Sequence, residues 1–373
     1  MKIFPFVLLL SPWAFAQAPQ PDTLVSPEVH ADQRVTFRLR APKAGEVTLT
    51  GDWMPTDGRA AMQKDTAGVW SVTLGPLPPS IYLYTFSLDG VTIADPVNPR
   101  VKLRSRTSAS LVEVPAEPAA LWQAHDVPHG KVEINWQRSS VLNGETRWIW
   151  IYTPPGYTQE TKRRYPVLYL LHGSNDVAAG WTLAGCANLI LDNLLAEKKA
   201  TPMIVVMPYG HAVPFGAPRE QQARNSALFE EYLWKDVAPL VESNYRTAPG
   251  RENRAIAGLS MGGGQALSIG FGNLDKFSAI GAFSSAVQAD FETKFAAALA
   301  DEKATNAKLK LLWIGCGRQD FIWERSKKLD ELLTARHIQH TFRATEGAHT
   351  YTVWRQYLGE FAPLLFQSGA SKR

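Results

Sequence analysis

Hydrophobic and polar residues follow two different patterns along the 373-residue chain. From about Val25 to Val114 they alternate in short runs, for example Val35 to Leu39, Glu46 to Thr50 and Val69 to Leu74. Strict alternation of this kind is typical of half-buried antiparallel strands. Because no long helical period interrupts these runs, the pattern predicts a small all-β, immunoglobulin-like sandwich over residues 25–114.

One hairpin of this sandwich is predicted by its turn residues. The run Tyr82 to Leu88 leads into Asp89-Gly90, and Val91 to Ile93 resumes the strand pattern. Asp-Gly is a favoured pair for a tight two-residue reversal.

The pattern changes after residues 115–130, which contain prolines and alanines without a clear period and are predicted to be a linker. In the predicted domain 131–367, apolar runs alternate with helical patterns such as Cys186 to Leu195. This alternation predicts an α/β domain with a mostly parallel central sheet and helices on both faces, whose ligands bind at the carboxyl ends of the strands. The candidate strands are 147–152, 165–171, 203–207, 255–257, 279–283, 310–314 and 340–343.

The first residues have the pattern of a signal peptide. Lys2 is followed by an apolar segment, Ile3 to Phe15, that is too short to span a bilayer. Ala14-Phe15-Ala16 predicts cleavage after Ala16, with Ala18 as an alternative, so the segment 1–16 predicts a secreted or periplasmic protein.

Composition narrows the possible partners without naming one. The net charge of +4 arises from 39 basic and 35 acidic residues and gives no reason to expect nucleic acid or a membrane surface as a partner. Cys186 and Cys316 are the two cysteines, and either a disulfide or two buried thiols is compatible with an exported chain. No metal-ligand spacing or phosphate-binding glycine loop occurs in the sequence, so no cofactor and no metal is expected.

The candidate nucleophile is Ser260, in the sequence Gly258-Leu259-Ser260-Met261-Gly262. This G-x-S-x-G pattern follows the apolar run Ala255-Ile256-Ala257 and precedes a helical pattern. A sharp strand-to-helix turn of this type exposes a serine hydroxyl in a cleft. The pattern therefore predicts a nucleophile elbow.

A serine nucleophile needs a base and an acid, which follow it in this order: serine, acid, histidine. His349 lies in a loop of small residues after the last predicted strand and is the candidate base. Asp320 follows the preceding strand and is the candidate acid, with Asp290 as the competitor one strand earlier. Glu346 is interpreted as a group that stabilises the histidine loop.

The tetrahedral intermediate needs two amide donors. The N–H of Met261 is the first candidate, and the N–H of Ser174, in the loop His172-Gly173-Ser174, is the second. His172 is interpreted as a structural residue of that loop. The candidate substrate-binding residues are Gly173, Trp181, Tyr209, His211 and Phe215.

Four segments of the second domain carry a family resemblance: Tyr152 to Tyr157, Tyr165 to Gly173, Gly258 to Gly263, and Trp354-Arg355 after His349. Together they resemble the esterase D-type putative esterases and, within these, carbohydrate esterase family 1, which includes feruloyl and acetylxylan esterases. The resemblance implies an α/β-hydrolase fold. It also implies the same roles for the residues identified above, which are Ser260, Asp320, His349, Met261 and Ser174.

The N-terminal region resembles the early-set sandwiches of carbohydrate-binding module family 48. The matching segments are Gly51-Asp52-Trp53, Gly68-Val69-Trp70, Tyr82 to Phe86 and Ala94-Asp95-Pro96. The resemblance implies a sugar contact through Trp53 or Trp70. Packing in the core or against the other domain is the alternative, which is favoured for Trp70 and left open for Trp53.

These observations predict a secreted serine esterase that acts on small-molecule or polysaccharide esters, with feruloyl or acetyl groups on xylan as the expected substrates. An enterochelin-type siderophore esterase is the first alternative, since the same core occurs there. It would suit a more cationic cleft, for which Arg318 and Arg355 are candidates, with structural ion pairs as the equal alternative for both. The second alternative is a catalytically inactive glycan-binding protein.

Overall fold

The computed structural model describes residues 23–55 and 57–367. The predicted signal peptide, 1–16, lies outside the described residues. Among the helices within them, none is both long and apolar enough to cross a membrane.

The N-terminal domain is a sandwich of two antiparallel sheets, as predicted. One sheet has the strand order β1-β2-β6-β5, and the other has the order β4-β3-β7-β10-β9 with β8 paired to β7. Asp89 and Gly90 have φ angles of 47° and 86°, which gives the tight reversal expected between β7 and β8. The strands are β1 Glu28–Val29, β2 Val35–Arg40, β3 Val47–Gly51, β4 Ala60–Ala61, β5 Gln63–Lys64, β6 Val69–Leu74, β7 Ser80–Leu88, β8 Val91–Ile93, β9 Val101–Lys102 and β10 Ala109–Val114.

The two tryptophans of the sandwich differ in their surroundings. Trp70 is buried, and its Nε1–H donates to the carbonyl of Ala41 at 3.0 Å, so it is a packing residue. Trp53 is half-buried, with its ring stacked on Phe37 at a centroid distance of 5.8 Å and edge-on to Tyr82 at 5.4 Å. A sugar contact by Trp53 stays a prediction.

The second domain has an eight-stranded sheet of order β11-β12-β14-β13-β15-β16-β17-β18. Strand β12 pairs antiparallel with both β11 and β14, and the remaining pairs are parallel, so the predicted α/β-hydrolase fold is confirmed. Sequence reasoning missed β11 because this edge strand is mostly exposed and has no continuous apolar run. The strands are β11 Lys131–Arg138, β12 Thr146–Thr153, β13 Val167–Leu171, β14 Ile204–Pro208, β15 Arg254–Leu259, β16 Ala279–Phe283, β17 Leu311–Gly317 and β18 Thr341–Thr345.

Helices cover both faces of this sheet, and each face has its own apolar cluster. Residues of α4, α5, α6 and α10 pack on one face, and residues of α1, α2 and α11 pack on the other. A π-helical turn, Leu233–Val237, joins α4 to α5. The helices are α1 Gly180–Leu183, α2 Ala187–Ala196, α3 Arg219–Gln222, α4 Asn225–Tyr232, α5 Ala238–Asn244, α6 Met261–Gly272, α7 Phe291–Lys294, α8 Ala296–Ala300, α9 Glu302–Lys308, α10 Trp323–Ala335 and α11 Tyr351–Phe361, with 3₁₀ turns at Arg251–Asn253 and Ala362–Leu364.

The segment between the domains is fixed to the second domain by hydrogen bonds. Asn193 of α2 donates to the carbonyls of Leu121 and Gln123 at 2.8 and 2.9 Å, and the Asp192 carboxylate accepts from the amide of Gly130 at 3.0 Å. The predicted linker is therefore packed against α2 along part of its length.

Buried charged groups join the two domains. Arg355 of α11 is 1% exposed and donates to Ser80 Oγ at 2.7 Å, to the Ile81 carbonyl at 2.9 Å and to the Ala184 carbonyl at 2.6 Å. Burial lowers the pKa of this guanidinium, and its carbonyl and hydroxyl acceptors compensate for the lost water. Arg355 is thus an interdomain contact, and its suggested place as a cation of the cleft is wrong.

The two cysteines are buried free thiols, which resolves the alternative left open by the sequence. Burial raises the pKa of Cys316 to about 11.

Candidate active site

Ser260 lies at the sharp turn between β15 and α6. Its φ and ψ angles, 53° and −117°, are unfavourable for a residue with a Cβ, as expected of a nucleophile elbow. The turn is too tight for side chains on its glycines. A Cβ on Gly258 would lie 2.5 Å from the backbone of Gly262, and a Cβ on Gly262 would lie 2.5 Å from the carbonyl oxygen of His172. The G-x-S-x-G pattern is therefore explained by backbone contacts.

His349 and Asp320 are brought into direct contact by the loops after β18 and β17. The Nδ1 atom of His349 lies 2.8 Å from Asp320 Oδ2 and 3.0 Å from Oδ1. Burial by itself would raise the pKa of Asp320, but its hydrogen bond and charge interaction with His349, together with the Ile322 amide, outweigh burial and lower it. An ionised Asp320 holds the proton of the imidazole on Nδ1 and leaves Nε2 able to accept one.

The other carboxyl groups considered for the acid are elsewhere. Asp290 is exposed at the start of α7. Glu346 is exposed and accepts a hydrogen bond from the side chain of Gln319 at 2.5 Å, which agrees with its interpretation as a loop-stabilising residue.

Ser260 and His349 line one cavity of about 310 Å³ together with Gly173 and Ser174. A Cβ on Gly173 would lie 2.8 Å from Leu259 Cδ1 and 3.4 Å from Ser260 Cβ, so the loop approaches the elbow as closely as glycine allows. The amide of Met261 is the first N–H of α6 and has no acceptor within the helix. Both candidate amide donors therefore belong to segments that adjoin Ser260.

His172 holds the loop of Gly173 and Ser174 in place. Its Nδ1–H donates to the Gly173 carbonyl at 2.8 Å, and its Nε2 accepts from the Gly210 amide at 2.8 Å. Burial lowers the pKa of His172 to about 4, so the ring is neutral at ordinary pH and both nitrogens are used. This agrees with its structural interpretation.

Two aromatic rings enclose His349, and one of them was not identified from the sequence. The Phe321 ring is 4.4 Å from the imidazole between centroids, although its residue is 79% exposed. Trp354 meets the imidazole edge-on at 4.9 Å, and its Nε1–H donates to Ser284 Oγ at 3.0 Å. The available signal for Phe321 was its position directly after the candidate acid.

The sandwich supplies another part of the cavity wall through Asp52, Leu83, Lys102 and Arg104. The Lys102 ammonium is 2.8 Å from the Asp176 carboxylate, and burial lowers its pKa and that of Arg104. Burial raises the pKa of Asp52 to about 7. Sequence reasoning missed this wall because it forms only when the two domains dock.

Most of the candidate substrate-binding residues lie outside the cavity. Gly173 lines it, whereas Trp181 is fully buried and donates from Nε1 to the Leu171 carbonyl at 2.9 Å. The prediction for Trp181 is wrong because its ring fills the core beneath the loop.

The loop after β14 packs behind His172 and does not line the cavity with Ser260. Tyr209 and His211 lie 5.5 and 5.6 Å from the His172 ring, and Phe215 lies 5.4 Å from His211. His211 is buried, and Tyr209 lines a different groove. The predicted cleft position of His211 is therefore wrong, and Tyr209 does not line this cavity, whereas substrate binding by Tyr209 and Phe215 stays a prediction.

Comparison with known proteins gives matches in both domains. A model of the putative esterase family matches residues 139–364, and a model of carbohydrate-binding module 48 (isoamylase N-terminal domain) matches residues 25–98. The chain is 32% identical over 351 residues to an endo-1,4-beta-xylanase/feruloyl esterase of Xylanibacter ruminicola, across 91% of this chain and 46% of that protein. It thus spans about half the length of this relative.

Solved structures resemble one or both domains. A ferulic acid esterase superposes with a TM-score of 0.55 and 27% identity, covering 63% of this chain and 97% of its own. An enterobactin esterase from Shigella flexneri superposes with a TM-score of 0.64 and 20% identity, covering 89% and 92%. The second likeness concerns the fold, and its coverage extends over both domains.

Proposed function

Because the chain belongs to the putative esterase family and is a carboxylic ester hydrolase, we propose that it is a secreted serine esterase acting on feruloyl or acetyl esters of plant cell-wall xylan. The observation that carries this proposal is that His349, which lines the same cavity as Ser260, is in direct contact with the buried carboxylate of Asp320. Export is supported by the signal-peptide pattern of residues 1–16.

The reaction proceeds through an acyl-enzyme. Ser260 Oγ attacks the ester carbonyl carbon while His349 Nε2 takes the hydroxyl proton, and the amides of Met261 and Ser174 hold the developing oxyanion. When the C–O bond to the alcohol breaks, His349 returns the proton to the leaving oxygen. Water then attacks the acyl-enzyme by the same route and releases the acid.

An aromatic acyl group is favoured by the apolar rings beside the base. Phe321 and Trp354 give the cavity flat apolar surfaces next to His349, and Phe321 is open to an incoming ring. The similarity to an endo-1,4-beta-xylanase/feruloyl esterase of Xylanibacter ruminicola and to a ferulic acid esterase supports the same acyl group.

A siderophore esterase is the second candidate, because two cations of the sandwich line the cavity. Lys102 and Arg104 could attract an anionic catechol ester. However, Asp176 neutralises Lys102 at 2.8 Å, and Asp52 offsets part of the charge of Arg104. This balance of charge favours the neutral xylan ester.

The assigned nucleophile is tested by Ser260→Ala with 4-nitrophenyl acetate and methyl ferulate. We expect kcat to fall by at least ~10⁴-fold, since the residual amide donors and binding alone supply little turnover. Ser285→Ala removes another buried hydroxyl near α6 and serves as the control, with activity within about twofold of wild type. Full turnover by Ser260→Ala would remove Ser260 as nucleophile.

The substrate is tested by initial rates on methyl ferulate, acetylated xylan and a catechol–serine ester with one enzyme preparation. The proposal expects the highest kcat/KM on one of the first two substrates. Dominant activity on the catechol–serine ester would establish the siderophore alternative instead.

A further inference from the structure

A second groove, of about 390 Å³, lies beside the catalytic cavity. It contains Trp136, Trp148 and Tyr209, and we refer to it as the tryptophan groove. Arg104 lines both the groove and the cavity, and Asp176 of the cavity is followed in sequence by Val177 of the groove. Arg104 and the step from Asp176 to Val177 therefore form the boundary between the catalytic cavity and this groove.

Two tryptophans form its aromatic surface. Trp136 of β11 lies directly opposite Trp148 of β12, with ring centroids 5.3 Å apart and planes inclined by 59°. Such a pair stabilises a hairpin, but this role does not require exposure. Trp136 is nevertheless 64% exposed on an edge strand, where a large apolar side chain favours unwanted association unless a ligand covers it.

The charged groups of the groove are one internal ion pair, Arg147 with Glu145, and the guanidinium of Arg104. The buried guanidinium of Arg147 donates to Glu145 at 2.8 Å and to the His211 carbonyl at 2.7 Å, and it lies 5.2 Å from the Tyr209 ring centroid. This ion pair is internally balanced, so beside Arg104 the groove offers hydrogen bonds and flat apolar faces, which suit a ligand rich in hydroxyl groups. Sugar rings have matching chemistry, because they present C–H faces and a rim of hydroxyl groups.

We propose that the tryptophan groove binds neighbouring sugar units of the xylan chain whose ester group is cleaved at Ser260. The inference rests on the proposed function for its choice of polymer. The sugar rings stack on Trp136 and Trp148, and the chain continues past Arg104 into the catalytic cavity. The groove thus selects the alcohol side of the ester, while the cavity holds the acyl side.

Binding is tested with xylohexaose, by isothermal titration calorimetry in the Ser260→Ala background. Adding Trp136→Ala and Trp148→Ala should weaken binding about tenfold or more. Ile134→Ala is the matched control, because Ile134 is a second exposed apolar residue of β11, 46% exposed, that does not line the groove. It should leave xylohexaose affinity unchanged. Thermal unfolding of all variants separates loss of binding from loss of the hairpin.

Turnover gives an independent measurement with Ser260 intact. In Trp136→Ala, kcat/KM on a feruloylated xylo-oligosaccharide should fall about tenfold while kcat/KM on methyl ferulate stays within about twofold. An equal fall on both esters would overturn the proposal, as would unchanged xylohexaose affinity in the double variant.

Failure of the proposed function has a different signature. If wild-type protein hydrolyses neither xylan esters nor methyl ferulate, the substrate assignment fails, yet xylohexaose titration still decides whether the groove binds sugar. Should Trp136→Ala instead abolish self-association in sedimentation while xylohexaose fails to bind, the groove is an interface between copies of this chain and the proposal is wrong.

Discussion

The catalytic cavity has two walls, and their residues are held in place by different means. On the hydrolase wall, Ser260 and Ser174 are positioned by backbone contacts that only glycine permits, and His349 is fixed by a buried carboxylate. On the sandwich wall, Lys102 and Arg104 belong to the N-terminal domain. Their position depends on the buried side-chain hydrogen bonds and ion pairs that hold this domain against the hydrolase domain. We therefore expect the hydrolase wall to carry the proposed chemistry and the sandwich wall, which depends on docking, to contribute to selectivity.

This difference predicts different responses to substitution. A change on the hydrolase wall should reduce turnover of every ester without unfolding the protein. A change at the sandwich wall should alter stability, substrate preference or pH dependence. The following four experiments test that division, beginning with the largest expected effect.

Replacing the acid of the hydrolase wall should have the largest effect. In Asp320→Asn the imidazole loses its ionised partner and can adopt the wrong tautomer, so kcat on 4-nitrophenyl acetate should fall by ~10⁴-fold. Asp290→Asn, at the exposed competitor, should retain wild-type kcat. If Asp290→Asn carried the loss, the acid would have been assigned to the wrong strand.

The positions of Ser260, Asp320 and His349 on the hydrolase wall could be predicted because short sequence segments specify them. Gly258 to Gly262 predict the elbow, and the chain order of acid and histidine follows from the fold. The sandwich wall was not predictable in this way. Lys102 and Arg104 lie in an ordinary polar segment, and they reach the cavity because the two domains dock, through contacts such as that of Arg355, more than 200 residues later, with β7.

The errors of the sequence reasoning have a related cause. Trp181, Tyr209 and His211 follow strands whose carboxyl ends face the site, so proximity in the fold suggested that they line it. The direction of each side chain depends on packing that the hydrophobic pattern does not specify. Trp181 fills the core, and Tyr209 faces the neighbouring groove.

Releasing the sandwich wall should give the next largest effect. Arg355→Met leaves Ser80 Oγ and the carbonyls of Ile81 and Ala184 without this buried donor, and should lower the free energy of unfolding by about 3 kcal/mol. Arg343→Met breaks an exposed pair with Glu360 and should cost less than about 1 kcal/mol. Urea unfolding measures both.

The KM values of the same two variants test whether the sandwich forms part of the cavity. If the sandwich forms part of the cavity, Arg355→Met should also raise KM for methyl ferulate while Arg343→Met does not. Equal stability of the two variants would mean that the domains are held together mainly by other contacts.

Phe321 shares features of both walls. It belongs to the hydrolase domain, but it contacts the candidate base His349 from an exposed position. Phe321→Ala should lower kcat/KM on methyl ferulate about tenfold by removing an aromatic surface for the acyl ring. It should change kcat/KM on 4-nitrophenyl acetate less, since an acetyl group is too small to use that surface. Equal losses on both esters would assign Phe321 to orienting His349, with no part in recognising the acyl group.

The smallest effect concerns the charge of the sandwich wall. Burial raises the pKa of Asp52 to about 7 from an ordinary value of 3.8. Between these two pH values the Asp52 carboxyl is therefore protonated in the folded protein and ionised in the unfolded chain. Through this group, stability therefore falls as pH rises from 3.8 to about 7. Asp52→Asn removes that fall. Asp52 is only partly covered, so solvent screening weakens this effect. At pH 8 the unfolding free energy of Asp52→Asn should exceed that of wild type by about 1 kcal/mol.

Urea unfolding between pH 4 and 8 measures this gain, and Asp57→Asn controls for removing an exposed carboxylate from the same loop. The gain of Asp52→Asn over wild type should grow with pH, whereas that of Asp57→Asn should stay flat. A gain independent of pH would mean that Asp52 is already ionised in the folded protein at low pH. The sandwich wall would then carry a full negative charge beside Arg104, and its charge balance would disfavour an anionic catechol ester even more strongly.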